Sequence, residues 1–267
     1  MNVSIIKTLA CPYDHTRVDF VNRSLVKKFY ECGLCHRQYP LVKNIPNFLP
    51  DGLREWTAKQ NFSLSHSTFA AGNWKPGFRG WYPSFIAKIL SFGFGAGRPD
   101  RDNNVSVLDV GCGDDPKGDV NVDVYIPSTL PKNFILASAE LLPFKNNSFD
   151  VVRSAYAIEH NLFPIEMIKE HFRVCSKKVK IYTDNSDWLG IIVYRILNMG
   201  SIFHDEHYFK WSKEYFINIL NRLDLKGEVI AFNSSPAFLV KMISFFGRLP
   251  RIGNIFYRDL YVEIHKK

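Results

Sequence analysis

The stretch VLDVGCGDDPKGDVNVDVY, residues 107–125, contains two short apolar runs joined by a glycine-rich turn. The first run ends near Asp109, and Gly111 and Gly113 then let the backbone pass close to a bound nucleotide, because a side chain would occupy the ligand's place. The third glycine of a dinucleotide fingerprint is absent, and Asp123, the acidic residue of the second run, comes only ten positions after Gly113. The stretch therefore disfavours NAD.

S-adenosylmethionine has no pyrophosphate, and it has less need of a helix N-terminus aimed at phosphate charge. It does need an acidic residue at the end of the second strand to accept hydrogen bonds from both ribose hydroxyls, and Asp123 meets that need. Only nine residues, Gly111 to Asp119, join the two runs. Because a parallel crossover normally takes about a dozen residues or more, the connecting helix is predicted to shrink to about one turn.

From Val105 onward, apolar runs alternate with helical patterns, which indicates a parallel sheet with helices on its faces. Seven strands are predicted, in VSVLDV, VNVDV, NFILAS, DVVRSA, KVKIYT, GEVIAF and DLYVEIH. Helices are predicted around residues 83–90, in FPIEMIKEHFRVC, and in SKEYFINILNRLD with Ser212 as its N-cap. In the second helix, one face is expected to carry Ile165, Ile168 and Phe172. In the third helix, the side chains expected to pack inward are Tyr215, Phe216, Ile219 and Leu220.

A second stretch, FILASAELLPFKNNSFDVVRSAYAIEH at residues 134–160, carries a resemblance to a known family. It is similar to the pattern DAExLPFxDxSFDxVxSxxxxEH of class I S-adenosylmethionine-dependent methyltransferases of the type-11 group. The resemblance covers residues 105–185, with its motifs in the correct order. It implies an α/β fold with a Rossmann-like seven-stranded sheet, and an enzyme that uses S-adenosylmethionine.

The resemblance also implies roles for individual residues. It places Ala139 and Glu140 beside the adenine, and it places Ser154 to Tyr156 along the cofactor pocket. Ser138 stands where the family usually has an aspartate that accepts a hydrogen bond from the adenine amino group. If the serine hydroxyl or a backbone carbonyl accepts that bond instead, cofactor binding is expected to weaken by about 1 kcal/mol. The full set of predicted cofactor-binding residues is Asp109, Gly111, Gly113, Asp123, Ser138, Ala139, Glu140, Ser154 and Tyr156.

The first fifty residues contain two cysteine turns, CPYDH at residues 11–15 and CGLC at residues 32–35. Their spacing is compatible with a zinc ribbon, in which two turns each present two ligands to one tetrahedral ion. The predicted zinc ligands are Cys11, Asp14, Cys32 and Cys35, with His15 as the alternative to Asp14. The other interpretation is a ribbon that has lost its metal and is stabilised by docking on the larger domain.

The stretch CGLCHRQYPLVKNIPNFLP, residues 32–50, is similar to a recurrent pattern, CxxCGxxYPxxxGIPxLLP. That pattern occurs in small zinc-ribbon proteins that activate tRNA and protein methyltransferases, and at the start of some rRNA methyltransferases. We therefore predict three parts: a zinc-ribbon-like module over residues 1–50, a linker with a helical segment over 51–104, and a methyltransferase domain over 105–267.

Three segments are candidates for the acceptor side. His160 follows the fourth predicted strand and is a candidate for the chemistry or for substrate contact, although methyl transfer requires a base only if the acceptor must lose a proton. FHDEHYFKW at 203–211 is interpreted as a substrate-facing lid, with a metal site or a polar turn as alternatives. PAFLVKMISFFGRLPRIGNIF at 236–256 is apolar with interspersed basic residues, which fits contact with a membrane or a lipophilic acceptor, or a buried helix.

The composition limits the partners. The formal charge of +8 and the pI near 9.2 suggest an anionic partner such as RNA or a lipid surface. The first twenty residues contain no apolar segment of signal-peptide length, and no uncharged run reaches the length of a spanning helix, so we expect a cytoplasmic protein. We favour a small or lipophilic acceptor over the alternatives, which are RNA and a noncatalytic role as a methyltransferase partner, because the charge forms no dense basic run.

Overall fold

The structure is a computed structural model that describes residues 3–23, 28–54, 105–189, 191, 207–232 and 253–266. The helix predicted around residues 83–90 lies outside these residues. So do most of the linker, the first part of the predicted lid, and nearly all of the apolar segment at 236–256. None of the described helices is long and apolar enough to cross a membrane.

Helix α1 (Val3–Ile6) precedes a small antiparallel sheet in which the strands follow one another in chain order. The strands are β1 (Val18–Asn22), β2 (Lys28–Cys32), β3 (Gln38–Val42) and β4 (Ile45–Pro46). Lys43 and Asn44 connect the last two strands with φ values of +51° and +64°. Positive φ at both central residues is the geometry of a tight two-residue hairpin.

The large sheet has seven strands, in the order β7-β6-β5-β8-β9-β11-β10. Strands β5 to β9 pair in parallel, and β11 is antiparallel to both of its neighbours. The seven predicted strands and the predicted fold class are confirmed. The strands are β5 (Val107–Val110), β6 (Val120–Asp123), β7 (Phe134–Leu136), β8 (Phe149–Ala155), β9 (Cys175–Asp184), β10 (Gly227–Phe232) and β11 (Asp259–His265).

Two amphipathic helices, α2 (Pro164–Val174) and α3 (Lys213–Arg222), pack on this sheet. Helix α3 begins as predicted, because the Ser212 hydroxyl accepts a hydrogen bond from the Tyr215 amide at 3.2 Å. The inward position predicted for Tyr215 is wrong, since this residue is 50% exposed. Its ring lies at the margin of the apolar face and contacts Trp211, at 5.6 Å between ring centroids.

The small sheet and the large sheet share one hydrophobic core. Asn47 forms a parallel bridge with Leu136, and the Phe48 amide donates to the Leu136 carbonyl at 2.7 Å, so the chain after β4 continues the sheet beyond β7. A second contact joins Leu9 to Phe144 through an antiparallel bridge. The N-terminal module is therefore packed against the large domain through both main-chain and apolar contacts.

Candidate active site

The predicted cofactor residues lie along one edge of the large sheet. Because β5 to β9 run parallel, the residues that follow their carboxyl ends meet at that edge, where ligands bind in open α/β sheets. The structure brings together there the turn after β5, Asp123 at the end of β6, the segment after β7 and the last residues of β8. Their roles in binding remain predictions.

The glycine turn after β5 has the geometry that the sequence requires. Gly111 and Gly113 have φ values of +69° and +50°, which favour glycine. A Cβ on Gly111 would lie 2.5 Å from the Cβ of Ala157, so a side chain does not fit there. Apart from Gly113 and its two chain neighbours, no described atom lies within 4 Å of the position that a Cβ on Gly113 would take. The turn therefore leaves space next to Gly113.

Asp123 connects this turn to the end of β6. Its Oδ2 accepts a bond from the Gly113 amide at 2.9 Å, and its Oδ1 accepts one from the Tyr125 amide at 3.1 Å. These bonds hold the carboxylate at the sheet edge. Its predicted role there is to accept hydrogen bonds from the hydroxyls of a ribose.

Asp109 forms hydrogen bonds that hold the same turn in place. It is buried, and its Oδ2 accepts from Arg153 Nη1 at 2.8 Å and from the Lys117 amide at 2.7 Å. Burial raises the pKa of Asp109 to about 6, while the Arg153 guanidinium and the Lys117 amide act in the opposite direction. At neutral pH the carboxylate is ionised and holds the short crossover against β8. No helix is assigned between β5 and β6, which agrees with the predicted reduction of the crossover.

The crossover also depends on Gly118, which sequence reasoning missed. A Cβ at this position would lie 2.3 Å from the Val120 carbonyl oxygen and 2.8 Å from the Asp109 amide nitrogen. The only available signal was a glycine two residues before an apolar run, and such glycines are common in turns.

The segment after β7 contains Ser138, Ala139 and Glu140. Ser138 is 3% exposed, and its carbonyl accepts from the Leu141 amide at 3.1 Å. Ala139 packs against the core, and Glu140 accepts from Asn161 Nδ2 at 2.9 Å. This bond ties the segment to the turn that follows β8, and sequence reasoning did not identify Asn161.

Ser154 lies near the end of β8, and Tyr156 directly follows the strand. The Ser154 hydroxyl is buried, and it has no hydrogen-bond partner within the described part of the chain. Tyr156 adopts a φ of +53°, and its hydroxyl donates to Asp259 Oδ1 at 3.0 Å. Burial raises the pKa of Tyr156 well above its usual value. Tyr156 therefore links the end of β8 to the start of β11.

Glu159, His160 and His207 form a group that we call the edge cluster. One potential ligand atom from each of the three lies within 4.8 Å of the others, and the two imidazole rings meet edge to face at 4.6 Å between centroids. Glu159 is 1% exposed, and burial, with Asp184 nearby, raises its pKa well above the usual range for a carboxyl group. Sequence reasoning predicted His160 and missed its association with His207.

Cys11, Asp14, Cys32 and Cys35 form a second group, the ribbon cluster, whose ligand atoms lie within 4.8 Å of one another. Cys11 Sγ is 3.7 Å from Cys35 Sγ, and Cys32 Sγ is 3.3 Å from Asp14 Oδ2. Thiolates about 2.3 Å from a tetrahedral zinc ion lie about 3.8 Å apart. The donor set and its spacing fit zinc.

The two turns of the ribbon cluster have the same backbone conformation. The His15 amide donates to the Cys11 carbonyl and the His36 amide to the Cys32 carbonyl, and both histidines have a φ of +57°. Asp14 thus occupies the position in the first turn that Cys35 occupies in the second, and His15 falls outside the cluster. The geometry supports Asp14, whose pKa is lowered by the hydroxyl of Thr16.

Residues 121–183 match a family model described as a methyltransferase domain. A search of curated proteins finds no match.

Three solved structures illustrate the structural similarity. A protein of Thermotoga maritima described as a SAM-dependent methyltransferase, possible histamine N-methyltransferase, has 14% identity and a TM-score of 0.47, over 81% of this chain and 99% of the other. A complex of the Trm112 methyltransferase activator and a methyltransferase from Haloferax volcanii has 13% identity and a TM-score of 0.43, over 81% and 97%. Phosphoethanolamine N-methyltransferase 2 of Haemonchus contortus has 13% identity and a TM-score of 0.45, over 83% and 62%.

The strand order, with β11 inserted antiparallel between β9 and β10, is that of the class I methyltransferase sheet. Together with the methyltransferase-domain match, it defines the class of this protein. The chain is a class I methyltransferase, an enzyme that depends on S-adenosylmethionine.

Proposed function

We propose that this enzyme transfers a methyl group from S-adenosylmethionine to a small or lipophilic acceptor at the carboxyl edge of the sheet. The observation that favours such an acceptor is the acidity of the edge beside the predicted cofactor residues. Glu159 and Asp259 are each 1% exposed, and the Asp184 side chain is 22% exposed. These carboxyl groups supply none of the positive charge that RNA phosphates require, and Arg258 is the basic side chain that lies near Asp184.

The residues at the edge can bind the cofactor in the predicted way. Bound S-adenosylmethionine supplies a methyl group on a positively charged sulfur. Asp123 would accept hydrogen bonds from the ribose, and the segment Ser138 to Glu140 would flank the adenine. Ser154 would offer its hydroxyl, which is buried and lacks a partner in the described chain. The space beside Gly113 supports this assignment because no described side chain or backbone atom fills it.

His160 is the proposed proton acceptor for an acceptor group that loses a proton during transfer. It lies in the 3-10 turn Ile158–His160, directly after β8 and next to the buried Glu159. Methyl transfer depends mainly on alignment and on exclusion of water, so a variant without the imidazole retains activity toward acceptors that carry no such proton.

We also propose that the ribbon cluster holds one structural zinc ion and that the module boundaries lie near residues 50 and 104. The support for zinc is the tetrahedral spacing of the four ligand atoms. None of the five cysteines forms a disulfide, which favours the reducing environment of the cytoplasm. The apolar segment at 236–256 is the candidate for peripheral membrane contact.

The decisive experiment incubates cell extract with methyl-labelled cofactor and the full chain, and then separates RNA, protein, organic and small-molecule fractions. We expect label in the organic or small-molecule fraction. Label confined to RNA would contradict the proposed acceptor and support the RNA alternative. Cofactor binding without labelling of any fraction would support the noncatalytic alternative. The Asp123→Ala variant serves as the control with weakened cofactor binding.

A further inference from the structure

The edge cluster has the donor set of an open metal site. Two imidazoles and one carboxylate are ligands that zinc and other first-row divalent ions accept. Ligand atoms about 2.1 Å from a tetrahedral ion lie about 3.4 Å apart, so modest side-chain rotation closes the cluster around one ion. Its members come from two separate segments, one immediately after β8 and the other before α3.

The main chain holds these two segments together. The Tyr208 amide, next to His207, donates to the carbonyl of Glu159 at 2.9 Å. Four residues beyond His207, Trp211 is 1% exposed and its carbonyl accepts from the Ser186 amide at 2.7 Å. His207 therefore stands at the start of a segment that is fixed at two points on its C-terminal side, which helps to preorganise the ligand.

The hydrogen bonding of the Glu159 carboxylate independently indicates a cation in the edge cluster. One oxygen, Oε2, accepts a bond from the Thr183 hydroxyl at 3.0 Å. The other, Oε1, is buried and has no hydrogen-bond partner among the described residues. An unpaired buried carboxylate oxygen is costly, and a cation in the cluster would remove that cost.

The Asp184 carboxylate lies close to the His207 imidazole. Nδ1 is 3.9 Å from Asp184 Oδ2, too far for a hydrogen bond, and a small side-chain rotation would let Nδ1 donate to this carboxylate and leave Nε2 as the ligand atom. Metal-ligating histidines commonly direct their second ring nitrogen to a carboxylate, which fixes the ring orientation and increases ligand basicity. Asp184 would serve this purpose without contacting the ion.

We propose that Glu159, His160 and His207 bind one first-row divalent transition-metal ion, with Asp184 as a positioning residue. Three protein ligands leave at least one coordination position open, as in catalytic rather than structural zinc sites. The open position would take an oxygen or nitrogen atom of the acceptor. With the ion bound, the ion would replace His160 in its proposed role, because it makes the proton on the bound acceptor atom more acidic. That last role rests on the proposed function, whereas binding of the ion does not.

The test is calorimetric titration of the full chain with Zn²⁺ and with Co²⁺, in the absence of S-adenosylmethionine and after the ribbon has been loaded with one zinc ion. We expect one further ion per chain. Glu159→Gln and His207→Asn should each lower its affinity at least about 100-fold, and Asp184→Asn about 10- to 100-fold. Circular dichroism of each variant verifies the fold.

His265→Ala is the matched control, because His265 belongs to a different group of potential ligands on the exposed surface, with Glu228 and Glu263. It should leave the additional ion in place. Absence of a further ion in the wild-type chain, or its loss in His265→Ala with retention in His207→Asn, would overturn the proposal. An ion that binds while extracts acquire no methyl label would contradict the proposed function and leave the metal site standing.

Discussion

The ribbon cluster and the edge cluster each gather potential metal ligands, but they do so in different ways. In the ribbon cluster, ligands from two similar turns face one point, and backbone amides of Leu34 and Cys35 donate to Cys32 Sγ at 3.4 Å. In the edge cluster, the ligands come from dissimilar segments, and one carboxylate oxygen of Glu159 lacks a partner in the described chain. The arrangement of the ribbon cluster suits a permanently bound structural ion. The arrangement of the edge cluster suits an ion that binds reversibly.

This difference predicts that substitutions in the ribbon change stability, whereas substitutions at the edge change binding. The largest effect is expected for Cys32→Ser. An ion present at a thousand times its dissociation constant stabilises the fold by about 4 kcal/mol, and the variant should lose most of that contribution. Denaturant unfolding with elemental analysis measures it. A variant that contains no zinc but unfolds like the wild type would remove the distinction between the clusters.

Acid pH should add a second loss of stability that does not involve the ribbon. His171 is fully buried in α2, and burial lowers its pKa to about 4. The unfolded chain takes up the proton near pH 6.5, so stability is complete above that pH and falls as the pH drops toward 4, by about 3 kcal/mol in total. Unfolding measured from pH 7 to pH 4 should show this decline, together with acid release of ribbon zinc.

The variant His171→Gln separates the two contributions to acid sensitivity. It removes the titrating group, so the decline that remains should follow the release of zinc. A wild-type decline that is unchanged in His171→Gln would contradict the assignment to this histidine.

At the edge, Asp123→Ala should weaken S-adenosylmethionine binding by about 1.5 to 3 kcal/mol through loss of charge-assisted hydrogen bonds. Calorimetric titration measures the change, and the exposed Glu166→Gln serves as the control. The zinc content of the ribbon should not change. Tighter binding of NAD than of S-adenosylmethionine by the wild-type chain would be incompatible with the cofactor assignment.

The smallest effect is expected for Tyr39→Phe in the ribbon. The Tyr39 hydroxyl is 3.1 Å from Cys11 Sγ, and loss of one hydrogen bond costs about 1 kcal/mol. Thermal unfolding should show this decrease with the zinc stoichiometry unchanged. A loss of zinc would mean that the hydroxyl is needed to retain the ion.

The sequence predicted the large sheet well because buried parallel strands read as apolar runs between helical patterns. It also predicted the turn around Gly113 and Asp123, since the hydrogen bond that joins them spans only ten positions of the chain. The inward position predicted for Tyr215 was wrong because helical periodicity does not show where an apolar face ends. Its ring has a neighbour in Trp211 and remains half exposed.

The edge cluster could not be predicted in the same way. His160 and His207 are 47 positions apart (207 − 160) and meet because the segment before α3 returns to the end of β8. The choice between Asp14 and His15 likewise depended on a backbone angle, the positive φ of His15. Composition and spacing carry neither the path of a returning segment nor the direction of a side chain at a turn.

The pairing of Asn47 and Phe48 with β7 has a further consequence for solubility. Without it, β7 would be the outermost strand of the sheet, and its free amides and carbonyls would offer a template for strands of other chains. Both residues are 0% exposed, and they occupy the edge of β7 at Leu136. A chain shortened by its first fifty residues should therefore self-associate during refolding, even where its own seven strands can still form.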